Sequence, residues 1–166
     1  MDVYLCPRFA SVAKQDAVNP NSAAPASPAL PRYHCRMSLY DFLVIGGGPA
    51  GSATAALLAR RGLRVGLCEQ KLFPRGKVCG EFLSTRLRPA LRALELESDF
   101  DRLAGPPVAR VLACPCGGRP LHGHLAPDAA GHLPRAMARD RFDQLLLERA
   151  RQWGAVIIQP CAVTSV

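Results

Sequence analysis

The sequence predicts an α/β fold built on a parallel, doubly wound sheet. Three observations predict it. An apolar run, Phe42-Leu43-Val44-Ile45, has the length of a buried strand. Glycines follow at once at the GxGxxG spacing, as Gly46, Gly48 and Gly51. An Ala-rich segment from Ser52 to Arg61 then reads as a helix, and Leu63 to Cys68 reads as a second strand. Strand, glycine turn, helix and strand make one βαβ unit, with its two strands parallel and adjacent.

The glycine turn has the context of a dinucleotide-binding, Rossmann-like fold. Gly46 permits the tight turn, and Gly48 lets a pyrophosphate approach the backbone with no Cβ in the way. Gly51 and Ala55 let the helix pack close to the strand. Pro49 and Ala50 open the helix, with its start expected near Pro49. A missing N–H costs nothing in that first turn. The helix N-terminus offers unpaired amides and a positive dipole end to phosphates.

Glu69 ends the second strand, 18 residues after Gly51, with Gln70 next to it. That spacing is close to the one expected of the acid that holds the ribose hydroxyls. A carboxylate there accepts both hydroxyls of an unphosphorylated ribose and repels a 2′-phosphate. The ligand expected is therefore FAD or NAD rather than NADP.

The chain has 166 residues, the length of one domain, and is 49% apolar and 20% charged. Net charge is +8, carried by 18 Arg and 3 Lys. The arginines are scattered and aromatics are few, which argues against nucleic acid as a partner. Seven cysteines form no CxxC pair, and Cys68 falls in a buried strand, so a reducing cytoplasm is expected. No segment approaches the roughly 18 apolar residues of a membrane span. Peripheral contact with a membrane stays open.

Residues 1–37 differ from the rest. The stretch from Asn19 to Pro28 is rich in Pro, Ala and Ser and has no apolar periodicity. The expectation is a disordered, dispensable N-terminal extension, with Met37 just ahead of a domain over 38–166. No apolar core follows a basic start, so it does not read as a signal peptide.

After Gln70, Pro74, Gly76 and Gly80 make a loop in which Arg75 and Lys77 bring positive charge to the dinucleotide side. Ser84 reads as the N-cap of a helix through Leu87, Leu91 and Leu94, with Pro89 inside it. Residues 98–135 are harder to assign. Val108 to Cys114 and Leu121 to Leu125 read as an inserted β-hairpin around a Pro/Gly turn. Cys114, Cys116, His122 and His124 do not match the common zinc spacings, so no metal is expected there.

From Arg139, apolar residues recur at helical spacing: Phe142, Leu145, Leu146, Ala150 and Trp153. Asp140 reads as its cap and Gly154 as its C′ residue. Ala155 to Ile158 and Cys161 to Val166 read as two further strands. The apolar face fixes the helix N-terminus, which should aim Arg139 at the dinucleotide crevice. Arg141 should point elsewhere.

With these residues in view, the chain from about Tyr40 to Val166 resembles the N-terminal part of FAD-dependent oxidoreductases of the geranylgeranyl reductase type. That group is related to aromatic hydroxylases and flavin-dependent halogenases. Three segments carry the resemblance: Asp41 to Gly51 with Glu69, Phe73 to Ser84 with its K-x-C-G-E core, and Arg139 to Asp143 with the helix behind it. The resemblance implies that the Lys77 to Glu81 loop, with Cys79 and Gly80, lies along the flavin. It implies that Arg139 reaches the flavin cofactor and that Val163 touches adenine through its backbone. A second Gly-Asp motif belongs to a later part of such chains and is not in this sequence, so the expectation is a domain truncated at its C-terminus.

The activity implied is that of a reductase or dehydrogenase. Hydride would pass from a reduced nicotinamide, NAD(P)H, through FAD to an unsaturated, isoprenoid or lipid-like small molecule. A monooxygenase or halogenase on the same scaffold, or a binding module with no activity of its own, are the alternatives. No residue is singled out as a catalytic acid or base.

Overall fold

The structure, a computed structural model, describes residues 4–6, 33–34, 40–115 and 118–164. Among the described residues, ten short strands, four α-helices and one 3₁₀ turn follow one another. They begin with β1 (Tyr4–Cys6) and β2 (Tyr33–His34), then β3 (Phe42–Ile45), α1 (Pro49–Arg60) and β4 (Val65–Cys68). The middle of the chain holds β5 (Phe82–Leu83), α2 (Arg88–Ala93), α3 (Glu97–Leu103), β6 (Arg110–Ala113), β7 (Leu121–His124) and β8 (Arg135–Ala136). The last elements are α4 (Arg139–Gln152), β9 (Val156–Ile158) and β10 (Ala162–Val163).

The central sheet is parallel, in the order β3-β4-β9. Phe42 pairs with Val65 and Ile45 with Cys68, so β3 and β4 are parallel neighbours joined through α1. Two further bonds carry the pairing past the strand ends. The Gly46 amide donates to Cys68 O at 2.7 Å, and the Glu69 amide donates to Ile158 O at 3.0 Å.

Helices α1 and α4 pack on each other and on this sheet. The buried face of α1 is small: Ser52, Ala55, Ala56 and Ala59. Short side chains let α4 come close, and α4 answers with Phe142, Leu146, Leu147 and Ala150. Val65 and Leu67 of β4 lie beneath, and Phe100 of α3 meets Phe142 edge to face at 6.4 Å. Trp153 closes the end of the layer between the guanidinium groups of Arg60 and Arg149.

Four details differ from the sequence reading. The segment after Ser84 is not one helix. It is a single 3₁₀ turn, Thr85–Leu87, followed by α2, with Pro89 in the first turn of α2. Pro89 cannot donate within a helix interior, so α2 begins there. Helix α3 has no counterpart in the sequence reading, because a seven-residue helix with one buried aromatic shows little periodicity. Asp140 is not the cap of α4. The cap position is Ala138, and the Asp140 carboxylate instead accepts the Arg141 amide at 2.7 Å. The segment after Pro160 does not extend the parallel sheet. Proline interrupts the ladder, and β10 pairs antiparallel with β1 instead.

The hairpin of β6 and β7 is present and antiparallel, with Val111, Leu112 and Leu121 exposed. Within the N-terminal extension, β1 and β2 are strands whose sequences, Tyr-Leu-Cys and Tyr-His, contain β-forming aromatics. The Pro/Ala/Ser stretch on which the expectation of disorder rests lies outside the described residues. No helix among the described residues is long and apolar enough to cross a membrane.

Candidate functional site

The site forms where β3 and β4 end and α1 begins. Gly46 has φ +100, a backbone conformation that L side chains rarely adopt. Gly51 packs against that turn so tightly that a Cβ on it would stand 1.9 Å from Gly46 O. Gly48 is the cap residue of α1, and the helix ladder starts with the Ser52 amide donating to Gly48 O at 2.9 Å. The amides of Ala50 and Gly51 precede that ladder, and the first turn holds no acidic side chain. The positive end of α1 is therefore open to an anion.

Glu69 faces this turn from the end of β4 and is 4% exposed. One carboxylate oxygen accepts the Gly47 amide at 2.8 Å and the other accepts the Lys71 amide at 3.0 Å. A buried Ser52 hydroxyl donates to Gly47 O at 3.0 Å, so Gly47 is held on both sides. Sequence reasoning missed Gly47 and Ser52. The signal was a fourth glycine inside the GxGxxG run and a hydroxyl on the inner face of an Ala-rich helix.

Arg75 lies between two carboxylates. Its Nε is 3.5 Å from Glu69 Oε1 and its Nη1 is 3.5 Å from Asp143 Oδ2. The guanidinium also stacks over Phe73 at 4.8 Å. Its Nε is buried without a hydrogen-bond acceptor. Asp143 is fully buried and accepts two bonds from Arg139, at 2.8 and 3.1 Å. Asp143 also escaped the reading of candidate residues, although the spacing Arg139-x-x-x-Asp143 places both on one helix face.

Two adjoining clefts result. The larger, 660 Å³, is lined by Gly46, Gly48, Pro49, Ala50, Gly51, Glu69, Gln70, Arg75 and Lys77, with Lys71, Gly76 and Val78 at its side. The smaller, 250 Å³, shares Gly46, Glu69 and Gln70 and adds Ile45, Cys68, Cys161, Ala162 and Val163. Thus Val163 comes to the far side of Glu69. Cys79, Gly80 and Arg139 line neither cleft.

Arg139 and Cys79 form a separate pair beside Asp143. A backbone hydrogen bond from Glu81 and the Arg139 guanidinium hold the Cys79 thiol below its usual range. Asp143, then Cys79, hold Arg139 firmly protonated. Arg141 is exposed, on another face from Arg139. Among the described residues, no three His, Cys, Asp or Glu side chains converge as a metal site would require.

Comparison with known proteins decides the family. The FAD binding domain family matches residues 40–166 of this chain. The chain belongs to the FAD binding domain family. A flavin-dependent halogenase of Armillaria mellea is 33% identical over 127 residues, 76% of this chain and 25% of that protein. Among solved structures, the myxobacterial chondrochloren halogenase is 30% identical, with a TM-score of 0.61 over 71% of this chain and 28% of its own. A geranylgeranyl bacteriochlorophyll reductase-like protein of Thermoplasma acidophilum is also 30% identical, with a TM-score of 0.57 over 71% of this chain and 28% of its own. The chain thus spans about a quarter of these relatives.

Proposed function

We propose that this chain forms the adenosine and pyrophosphate end of the FAD site in a flavin-dependent oxidoreductase. The observation that carries the reading is Glu69: a buried carboxylate, pinned by the Gly47 amide, at the junction of the two clefts. The residues fit the cofactor. Glycines line the larger cleft where side chains would block phosphates, and the helix start, Arg75 and Lys77 supply positive charge. Glu69 would accept the ribose hydroxyls, with Gln70 beside it. Val163 would border the adenine. Cys79, Gly80 and Arg139 would lie toward the flavin.

Bound FAD would supply the redox chemistry, a hydride from NAD(P)H delivered to an unsaturated, lipid-like substrate. This chain's residues would bind and orient the cofactor. The Lys77 to Glu81 segment favours the reductase branch, and so does the reductase-like structural relative. A second reading, halogenation or another oxygen-dependent reaction, is favoured by the halogenase relatives. Anaerobic reduction of the complete protein's flavin by NAD(P)H, with saturation of an alkene, supports the reductase. Consumption of oxygen and halide with a halogenated product supports the second reading.

A further inference from the structure

Asp143 of α4 lines neither cleft and is fully buried, yet two arginines share its carboxylate. Oδ1 accepts Arg139 Nε at 2.8 Å, and Oδ2 accepts Arg139 Nη2 at 3.1 Å. Arg75 Nη1 stands 3.5 Å from the same Oδ2, and Arg75 Nε stands 3.5 Å from Glu69 Oε1. The third nitrogen of that guanidinium, Nη2, is 3.9 Å from where a Cβ on Gly48 would lie. A guanidinium is planar and rigid, so the partners of Nε and Nη1 set the direction of Nη2. That direction is the cap of α1, where the first amides of the helix are open to an anion. Arg139, the other cation on Asp143, also meets the Cys79 thiol.

We infer that Asp143 is a positioning residue of the cofactor site, which touches no ligand but orients Arg75 toward the pyrophosphate and Arg139 toward the Lys77 to Glu81 loop. The ligand half of this rests on the FAD reading above. The hold on Arg139 does not. Without Asp143, Glu69 is the one charged partner left to Arg75, and the guanidinium turns toward it. The acid meant for the ribose and the cation meant for phosphate then neutralise each other. Arg139, with no carboxylate to accept its two donors, leaves Cys79.

A double-mutant cycle on the full chain, read by titration with ADP, tests the first half. Asp143→Asn should weaken ADP binding about tenfold or more. In an Arg75→Ala background the same change should cost less than about twofold, because its route to the ligand is gone. Equal losses in the two backgrounds overturn the inference. The second half is read without ligand, from the pH midpoint of Cys79 labelling by iodoacetamide. Asp143→Asn removes a negative charge. With Arg139 still in place, that change alone favours the thiolate and lowers the midpoint. With Arg139 released, the thiolate loses its cation and the midpoint rises. A rise is expected, and an unchanged or lower midpoint overturns the inference. Circular dichroism checks that each variant is folded. If Asp143→Asn does not fold, Asp143→Glu replaces it: the charge is kept and only its place changes, so the same losses and the same rise are expected. Should the chain bind neither ADP nor FAD, the FAD reading fails, and Cys79 labelling still decides the hold on Arg139.

Discussion

The Glu69 carboxylate accepts the Gly47 amide at 2.8 Å, across the gap between two parallel strands. One bond therefore couples the acid at the end of β4 to the turn after β3. It sets the carboxylate at the rim of both clefts, and it sets the turn that a phosphate would meet. Glu69→Ala is expected to weaken FAD binding by about 1–3 kcal/mol, the cost of losing hydrogen bonds to a charged group. Glu69→Gln keeps an acceptor for Gly47 and should lose less. Isothermal titration of both variants checks the order.

The close approach of Gly51 to Gly46 makes a second prediction. A Cβ at Gly51 would collide with a backbone carbonyl at 1.9 Å, which has no rotamer with which to yield. Gly51→Ala should therefore destabilise the fold by about 1–3 kcal/mol, the range for overpacking. Gly76 has nothing within 4 Å of the same position, so Gly76→Ala should be close to neutral. Urea unfolding of the two variants separates them.

The sequence revealed the βαβ unit because local signals and tertiary need agree there. Apolar strand, glycines, alanines and Glu69 all serve one turn. The partners of that turn were less legible. Gly47 acts through an amide and Asp143 through burial at the end of a salt-bridge chain, and neither leaves a periodic mark. Residues 98–135 were obscure because their elements are short and exposed, and β5 and β8 pair across more than fifty residues. The fate of β10 turned on Pro160, which interrupts a ladder that apolar composition alone would continue.

Arg139 and Arg141 make a third prediction. Arg139 is fixed by Asp143, which also meets Arg75 at the cleft wall, whereas Arg141 is exposed. Arg139→Ala in the complete protein should release FAD, and Arg141→Ala should not. Absorbance of the retained flavin after gel filtration checks this. Equal retention would remove Arg139 from the site.

Cys79 gives a pH dependence. Its thiol is held below the usual range by the Glu81 backbone and by Arg139. A depressed pKa favours thiolate, so alkylation of Cys79 should rise with pH through a midpoint below the ordinary value of about 8.5. Arg139→Ala should move that midpoint upward. Rates of iodoacetamide labelling at Cys79, followed by mass spectrometry across pH, measure it.

Away from the cleft, Arg88 is 4% exposed and donates twice to Asp101, at 2.8 and 2.7 Å. Its guanidinium also lies over Phe100. The Arg88 bonds hold the Asp101 carboxyl below its usual range. Stability from this pair is in place above the ordinary carboxylate pKa of about 3.9. It is lost as pH falls through the lower value in the folded chain. Arg88→Ala should cost about 1–3 kcal/mol at neutral pH. Loss of exposed Arg92, paired with Glu97, should cost less than about 1 kcal/mol. Thermal melts from pH 7 down to acid check both statements.

The central claim is that the clefts around Glu69 bind the adenosine diphosphate half of FAD. Competition separates that half from the flavin. A titration of the chain with FAD, followed by flavin fluorescence and repeated with excess ADP and with FMN in place of FAD, tests it most directly. The account predicts saturable FAD binding, displacement by ADP, and much weaker binding of FMN. Equal binding of FMN and FAD, with no displacement by ADP, would contradict it.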